Sequence, residues 1–136
     1  MGRLIGFGCI AALVCLAVAG FAAAVSERGG PGADTLQGTG GPDTLKGLRG
    51  ADRLIGGPGK DVLVGGKGPD RLRGGAGFDF FNMRRNGQEL PAGGKDRIDA
   101  RDRNPDAINC GKGIDIAVVD AVEDGVYDCE KVKEPK

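Results

Sequence analysis

Residues Gly56–Gly75 read GGPGKDVLVGGKGPDRLRGG, two near-copies of one nine-residue phrase, GGPGKDVLV and GGKGPDRLR. Each copy spends three glycines and keeps one aspartate and one leucine in the same places. Glycine loses more backbone freedom on folding than any other residue, so something must compensate for its repetition. Outward from this stretch the phrase continues without gaps. The units are GGPGADTLQ (29–37), GTGGPDTLK (38–46), GLRGADRLI (47–55), the two above (56–64 and 65–73), and GGAGFDFFN (74–82). Aspartate recurs every nine residues as Asp34, Asp43, Asp52, Asp61, Asp70 and Asp79. Two places after each stands Leu36, Leu45, Leu54, Leu63, Leu72 or Phe81. A fixed period of this kind signals a repeat architecture rather than a globular core.

Each unit reads as a six-residue turn followed by a three-residue strand. Side chains alternate along a strand, so the leucine faces one way and its neighbours the other. A single leucine buries itself only against leucines of other units. The glycines let the turn adopt positive φ and bring carbonyls inward. The expected fold class is therefore all-β.

Composition narrows the chemistry. The 136 residues contain 27 glycines, about three times the ordinary ~7%. The glycines lack a three-residue period and prolines number seven, which excludes collagen. Lysine plus arginine equals aspartate plus glutamate at 19 each, so no global charge calls for nucleic acid or membrane headgroups. Histidine is absent, which excludes Ser-His-Asp and Cys-His catalysis and every histidine-ligated metal site.

The unit pattern GGxGxDxUx resembles the hemolysin-type calcium-binding nonapeptide of the RTX family. The likeness covers residues 29–82, with Thr39 and Leu48 replacing the second glycine of their units. It implies a right-handed parallel β-roll in which two units form one coil, so that units 18 residues apart stack. Asp34, Asp52 and Asp70 then form one column, and Asp43, Asp61 and Asp79 the other. Stacked bare carboxylates repel, and a hard dication between the turns removes the repulsion. Calcium takes six to eight oxygens in a flexible cage, whereas magnesium demands tighter geometry. The remaining oxygens are expected from backbone carbonyls near Gly29, Gly32, Gly38, Gly41, Gly47, Gly50, Gly56, Gly59, Gly65, Gly68, Gly74 and Gly77. Six units with partners two apart give at most four sandwiched calcium ions. The core is thin for its length, so the repeats are expected to fold only when calcium binds.

Beyond Phe81 the glycines thin out, but the phase persists. Asp106, Asp115 and Asp124 keep the nine-residue step, with Ile108, Ala117 and Val126 at the core position. RDRNPDAIN, CGKGIDIAV and VDAVEDGVY therefore read as decayed units, with a small globular cap as the competing reading. Asp96 lies one place early, and the stacking positions of Asp115 are expected to be Arg97 and Lys133. Cys110 and Cys129 are 19 residues apart, one coil plus one residue, and are expected to form a disulfide on adjacent coils. The stretch DRIDARD, CGKGID and DCEKV is similar to the C-terminal ends of small exported calcium-binding proteins of actinobacteria.

The first 24 residues differ. An apolar run from Leu4 to Val25 follows Arg3 and ends in Ala22-Ala23-Ala24, a pattern suited to cleavage after Ala24. Residues 1–24 are thus expected to be a secretory signal peptide, leaving no membrane segment in the mature chain; an uncleaved anchor is the rival reading. Residues 25–28 read as a linker, 29–82 as the roll, and 83–136 as a degenerate capping region. The roll is less acidic than the family norm. Arg49, Arg53, Lys67, Arg71 and Arg73 either balance the aspartates or form a basic stripe for an anionic surface polymer. A flat threonine row suited to ice is broken, since Arg53, Val62 and Arg71 follow Thr35 and Thr44. In the family, catalysis resides in separate domains, so the repeats are expected to be non-catalytic.

Overall fold

The computed structural model describes residues 23–82, 93–120, 125–127, 129 and 131–133. The apolar run up to residue 22 lies outside the described residues, as does Asp124. Every described strand is short, because each unit offers only a few residues between turns. The strands are β1 (Ser26–Arg28), β2 (Thr35–Gln37), β3 (Thr44–Arg49), β4 (Arg53–Ile55), β5 (Val62–Lys67), β6 (Arg71–Arg73) and β7 (Phe80–Phe81). They continue as β8 (Gly93–Gly94), β9 (Arg97–Ala100), β10 (Ala107–Asn109), β11 (Lys112–Gly113), β12 (Ile116–Val119), β13 (Gly125–Tyr127) and β14 (Lys131–Lys133).

Alternate units feed two parallel sheets. One runs β1-β3-β5-β7-β10-β13, with β8 joining β5 and β11 joining β8. The other runs β2-β4-β6-β9-β12-β14. Successive strands within a sheet pair 18 residues apart in the repeats, as in Thr44↔Val62 and Arg53↔Arg71. One coil is therefore two units, and the chain is an all-β parallel solenoid. The register stacks Leu36, Leu54, Leu72, Ile98 and Ala117 in one sheet. It stacks Leu45, Leu63, Phe81 and Ile108 in the other. These two rows meet in one buried cluster between the sheets.

Three expectations are corrected. Residues 26–28, read as part of a linker, form a strand that pairs with Thr44–Lys46. The backbone of the incomplete first coil is already in register there, although its core position holds Glu27 opposite Leu45. The solenoid also continues beyond the repeats, but with a shifted phase. Arg97 and Lys133 do not flank Asp115; Arg97 pairs with Ile116, and Lys133 with Val118. A strict nine-residue phase would have driven Asp99 into the core. A one-residue slip exchanges the two faces of a strand, and it buries Ile98 completely instead. The five basic residues, third, do not lie along one stripe. Arg49 and Lys67 pair in the first sheet, whereas Arg53, Arg71 and Arg73 belong to the second.

Cys110 and Cys129 form a disulfide with Cα atoms 5.1 Å apart. Each follows one of the paired strands β10 and β13, so the bridge joins adjacent coils. Glycine turns are fewer beyond the repeats, although Gly94 and Gly113 keep the stacking, and the crosslink further restrains that end of the solenoid. Closing a loop of this length contributes about 3 kcal/mol, largely by restricting the unfolded chain. Reduction, or Cys110→Ala, is expected to lower the melting temperature of the folded protein by several degrees, read by circular dichroism with and without dithiothreitol. An unchanged midpoint would show that the end is held by packing alone.

Candidate metal centre

Each repeat places its aspartate at the last turn position, directly ahead of the strand. The ladder holds that backbone on both sides. The Asp34 carbonyl accepts from Arg53 N–H, and the Asp43 carbonyl from Val62 N–H. The side chain therefore turns back under the preceding coil. Asp52 Oδ1 accepts the Asp34 N–H at 2.9 Å, Asp70 Oδ1 the Asp52 N–H at 2.9 Å, and Asp96 Oδ1 the Asp70 N–H at 2.9 Å. Asp115 Oδ1 accepts the Asp96 N–H at 2.8 Å. In the second column, Asp61, Asp79 and Asp106 accept from Asp43, Asp61 and Asp79 at 2.7, 2.9 and 2.8 Å. Both columns expected from the repeats are present, and both run on into the tail.

Asp96 and Asp115 were not placed together in the sequence reading. The step from Asp70 to Asp96 is 26 residues and that from Asp96 to Asp115 is 19. Together they restore the nine-residue phase. The signal that locates Asp96 is Ile98, the apolar residue two places on. Asp102 was also missed. Its turn carries no glycine, and its Oδ2 accepts the Gly77 N–H at 2.7 Å.

Oδ1 of these carboxylates is thus occupied by backbone, and in four of them Oδ2 is left over. Oδ2 of Asp52, Asp70, Asp79 and Asp96 is buried without a hydrogen-bond partner, and these side chains are at most 2% exposed. A buried carboxylate oxygen without a partner is costly. Burial pushes Asp70 up to about 6, and Asp79 and Asp96 to about 7. The backbone N–H opposes each shift, and the preceding carboxylate in the column adds to it. Asp52 is raised for the same reasons. At the N-terminal end Oδ2 stays closer to its own turn. Asp34 accepts from Gly30 N–H and Asp43 from Thr39 N–H.

The first glycine of each unit shows where these oxygens aim. A Cβ added at Gly29, Gly38, Gly47 or Gly56 would stand 2.3–2.6 Å from two oxygens. One is Oδ2 of that unit's own aspartate (Asp34, Asp43, Asp52 or Asp61). The other is the carbonyl of Gly47, Gly56, Gly65 or Gly74 in the next coil. Four units therefore carry a two-oxygen cradle that spans adjacent coils, equal to the four sites counted from the sequence. At Gly65 and Gly74 the nearest atoms belong to Asp70, and to Asp79 and the Phe81 ring. The carbonyls of Gly32, Gly41, Gly50 and Gly59 face Gly50, Gly59, Gly68 and Gly77 one coil on.

That close stacking explains the glycines. Gly68 has φ +120°, and a Cβ there would lie 1.9 Å from the Gly50 carbonyl. Leu48 marks the exception, holding φ +88° where the equivalent residues are Gly57 and Gly66. An L-residue in this region is strained, and Leu48 tolerates it with its side chain exposed.

The donor set is carboxylate and carbonyl oxygen, which suits a hard cation and calcium above magnesium. Among the described residues no three acidic, cysteine or histidine side chains converge on one point. Carbonyls from the glycine turns must therefore complete any coordination shell. The unpartnered buried oxygens and the cradles fit such an ion.

The raised carboxyl pKa values fix a pH dependence. A carboxyl whose pKa is higher in the roll than in the unfolded chain holds its proton more readily when folded. The metal-free roll is therefore most stable at or below the unfolded value near 3.8. It loses that stability as pH rises toward 6 for Asp70 and 7 for Asp79 and Asp96. In chelator the β signal is expected to weaken between pH 4 and 7. Calcium, which needs ionised ligands, should reverse the trend. Circular dichroism across this range reads both, and a flat profile in chelator would contradict the desolvation argument.

Residues 28–63 and 55–82 match the RTX calcium-binding nonapeptide repeat, a family description that spans four copies of the unit. No curated protein and no solved structure matches the chain. RTX repeats bind calcium ions between their turns, which is where the cradles lie. Residues 28–82 thus match the RTX calcium-binding nonapeptide repeat, and their stacked aspartates stand between the turns where such repeats take calcium.

Proposed function

We propose that the chain is an exported, non-catalytic protein whose roll is assembled by calcium. The observation that carries this reading is the pairing of an aspartate oxygen with a next-coil glycine carbonyl in four successive units. Asp34, Asp43, Asp52 and Asp61 hold the ion with the carbonyls of Gly47, Gly56, Gly65 and Gly74. Asp70 and Asp79 close the two columns from the following coil. Calcium supplies the positive charge that lets stacked carboxylates stay ionised inside the roll. The protein supplies a fixed register, because the carboxylates from Asp43 onward are already tied by Oδ1 to the coil before them. Ionised oxygens and leucine rows then come together in one step, so binding and folding are coupled. Export follows from the apolar leader and its Ala22-Ala23-Ala24 ending.

The test is a calcium titration of the full exported protein by circular dichroism, with magnesium as control. A coil-to-β transition is expected near ~10⁻⁴–10⁻³ M calcium, the range of extracellular modules. Asp52→Asn and Asp61→Asn should each move it to higher calcium. A β-rich spectrum in chelator at pH 7, or no response to calcium, would overturn the reading.

A second reading is favoured by one observation, the alignment of arginines on the second sheet. Arg53 pairs in register with Arg71, and Arg71 with Arg97, while Arg73 lies in the neighbouring row opposite Asp99. These side chains line a shallow cavity of about 190 Å³. A guanidinium row at strand spacing suits a linear polyanion, since arginine binds carboxylate or phosphate through two hydrogen bonds. On this reading the roll contacts an anionic cell-surface polymer through the second sheet, with Arg49 and Lys67 outside the contact. Arg53→Gln/Arg71→Gln/Arg97→Gln should abolish salt-sensitive co-sedimentation with such a polymer in calcium; equal co-sedimentation would remove the reading.

A further inference from the structure

Asp43 differs from the other members of its column in what it caps. Asp61, Asp79 and Asp106 each accept the N–H of another aspartate. Asp43 Oδ1 accepts the N–H of Val25 at 2.7 Å. Val25 lies 18 residues before Asp43 and so occupies the aspartate position of the incomplete first coil. It brings no carboxylate, but its backbone is fully in register, since its carbonyl accepts the Thr44 N–H at 2.8 Å. Just before it the chain leaves the ladder. Ala23 and Ala24 are exposed, and the Ala23 carbonyl is held only at the surface, by Thr39 Oγ1 at 2.8 Å.

The roll therefore begins at Val25, the residue that would become the N-terminus if the Ala22-Ala23-Ala24 motif directs cleavage after Ala24. Two independent features meet at one bond. The two Asp43 oxygens face different ways: Oδ1 accepts from Val25 N–H, whereas Oδ2 accepts from Thr39 N–H and lies toward the Gly56 carbonyl. Asp43 is fully buried, and Glu27, two residues after Val25, buries one carboxylate oxygen without a hydrogen-bond partner. No earlier turn exists in the described chain to sandwich an ion against this end of the column.

We infer that the Ala24–Val25 bond is the processing site of the precursor, and that the Val25 α-ammonium it releases is the fixed counter-charge of Asp43. Hydrolysis breaks the Ala24 C–N bond. The water oxygen remains on the Ala24 carboxylate, and its protons leave Val25 as an ammonium at neutral pH. The 2.7 Å amide contact becomes a charge-assisted bond, roughly twice as strong as a neutral one. Removal of the leader thus strengthens the N-terminal end of the roll at Asp43 Oδ1, the oxygen turned away from the Gly38 cradle. The inference rests on the export reading and not on calcium occupancy.

The test begins with the full precursor expressed in a secreting host and the N-terminal residue of the exported protein read by mass spectrometry. Val25 is expected; another N-terminus, or retention of the leader, overturns the processing site. A second precursor carries two residues, Gly-Gln, inserted between Ala24 and Val25. Its mature form keeps the Val25 amide N–H but moves the ammonium away from Asp43. In saturating calcium its melting midpoint should be lower by on the order of 5 °C. In an Asp43→Asn background the same insertion should cost nothing further. Equal midpoints for the two mature proteins, or an equal loss in the Asp43→Asn background, would overturn the counter-charge role. Failure of the calcium reading shows separately, as an absence of any calcium effect on either protein, while the midpoint difference remains readable.

Discussion

Everything in this roll depends on a carboxylate that is only half satisfied. Every column aspartate after Asp34 accepts, through Oδ1, a backbone N–H of the coil before it. That bond sets the register between coils, because only one position in the next unit can reach it. The same geometry carries Oδ2 into the protein, where water cannot solvate it. The contact that aligns the coils therefore also creates the charge problem that calcium solves. Without a cation, burial favours the protonated form of these carboxylates.

The glycines follow from the same constraint. Coils must approach closely enough for a carboxylate to reach the next backbone, and at that distance the turns have no room for a Cβ over the carbonyl below. Gly68 shows the limit, with the Gly50 carbonyl inside any side chain's volume. Leu48 shows what the limit permits: the backbone conformation can be strained if the side chain escapes to solvent. The entropy lost in ordering so many glycines is offset by ion binding and by two thin apolar rows.

The tail uses other means for the same end. Glycine turns are rarer there, Asp102 caps Gly77 where a repeat would present backbone, and Cys110–Cys129 ties adjacent coils covalently. The columns nevertheless persist through Asp96, Asp106 and Asp115, because the apolar rows persist through Ile98, Ile108 and Ala117. Core burial, rather than a strict residue count, decides which aspartate enters the column. The C-terminal coils are thus tied by a covalent crosslink, where the repeats rely on close-stacked turns.

The nine-residue period was legible from the residues alone, and with it the all-β class, the leucine rows and the six repeat aspartates. These are local properties, since a turn needs its glycines and a strand its alternation wherever the unit sits. The two-unit coil and the cysteine pairing also emerged, the first through a family likeness and the second through the spacing of 19. The phase of Asp96 did not, because a one-residue slip is invisible until the cost of burying Asp99 is set against the gain of burying Ile98. Nor did the separation of Arg49 and Lys67 from Arg53, Arg71 and Arg73, which depends on which sheet each strand joins. The sequence by itself determined the repeating unit and the columns of its aspartates. Only the tertiary structure decided which oxygens remain unpaired, because that depends on what the neighbouring coil, 18 or more residues away, leaves unsatisfied.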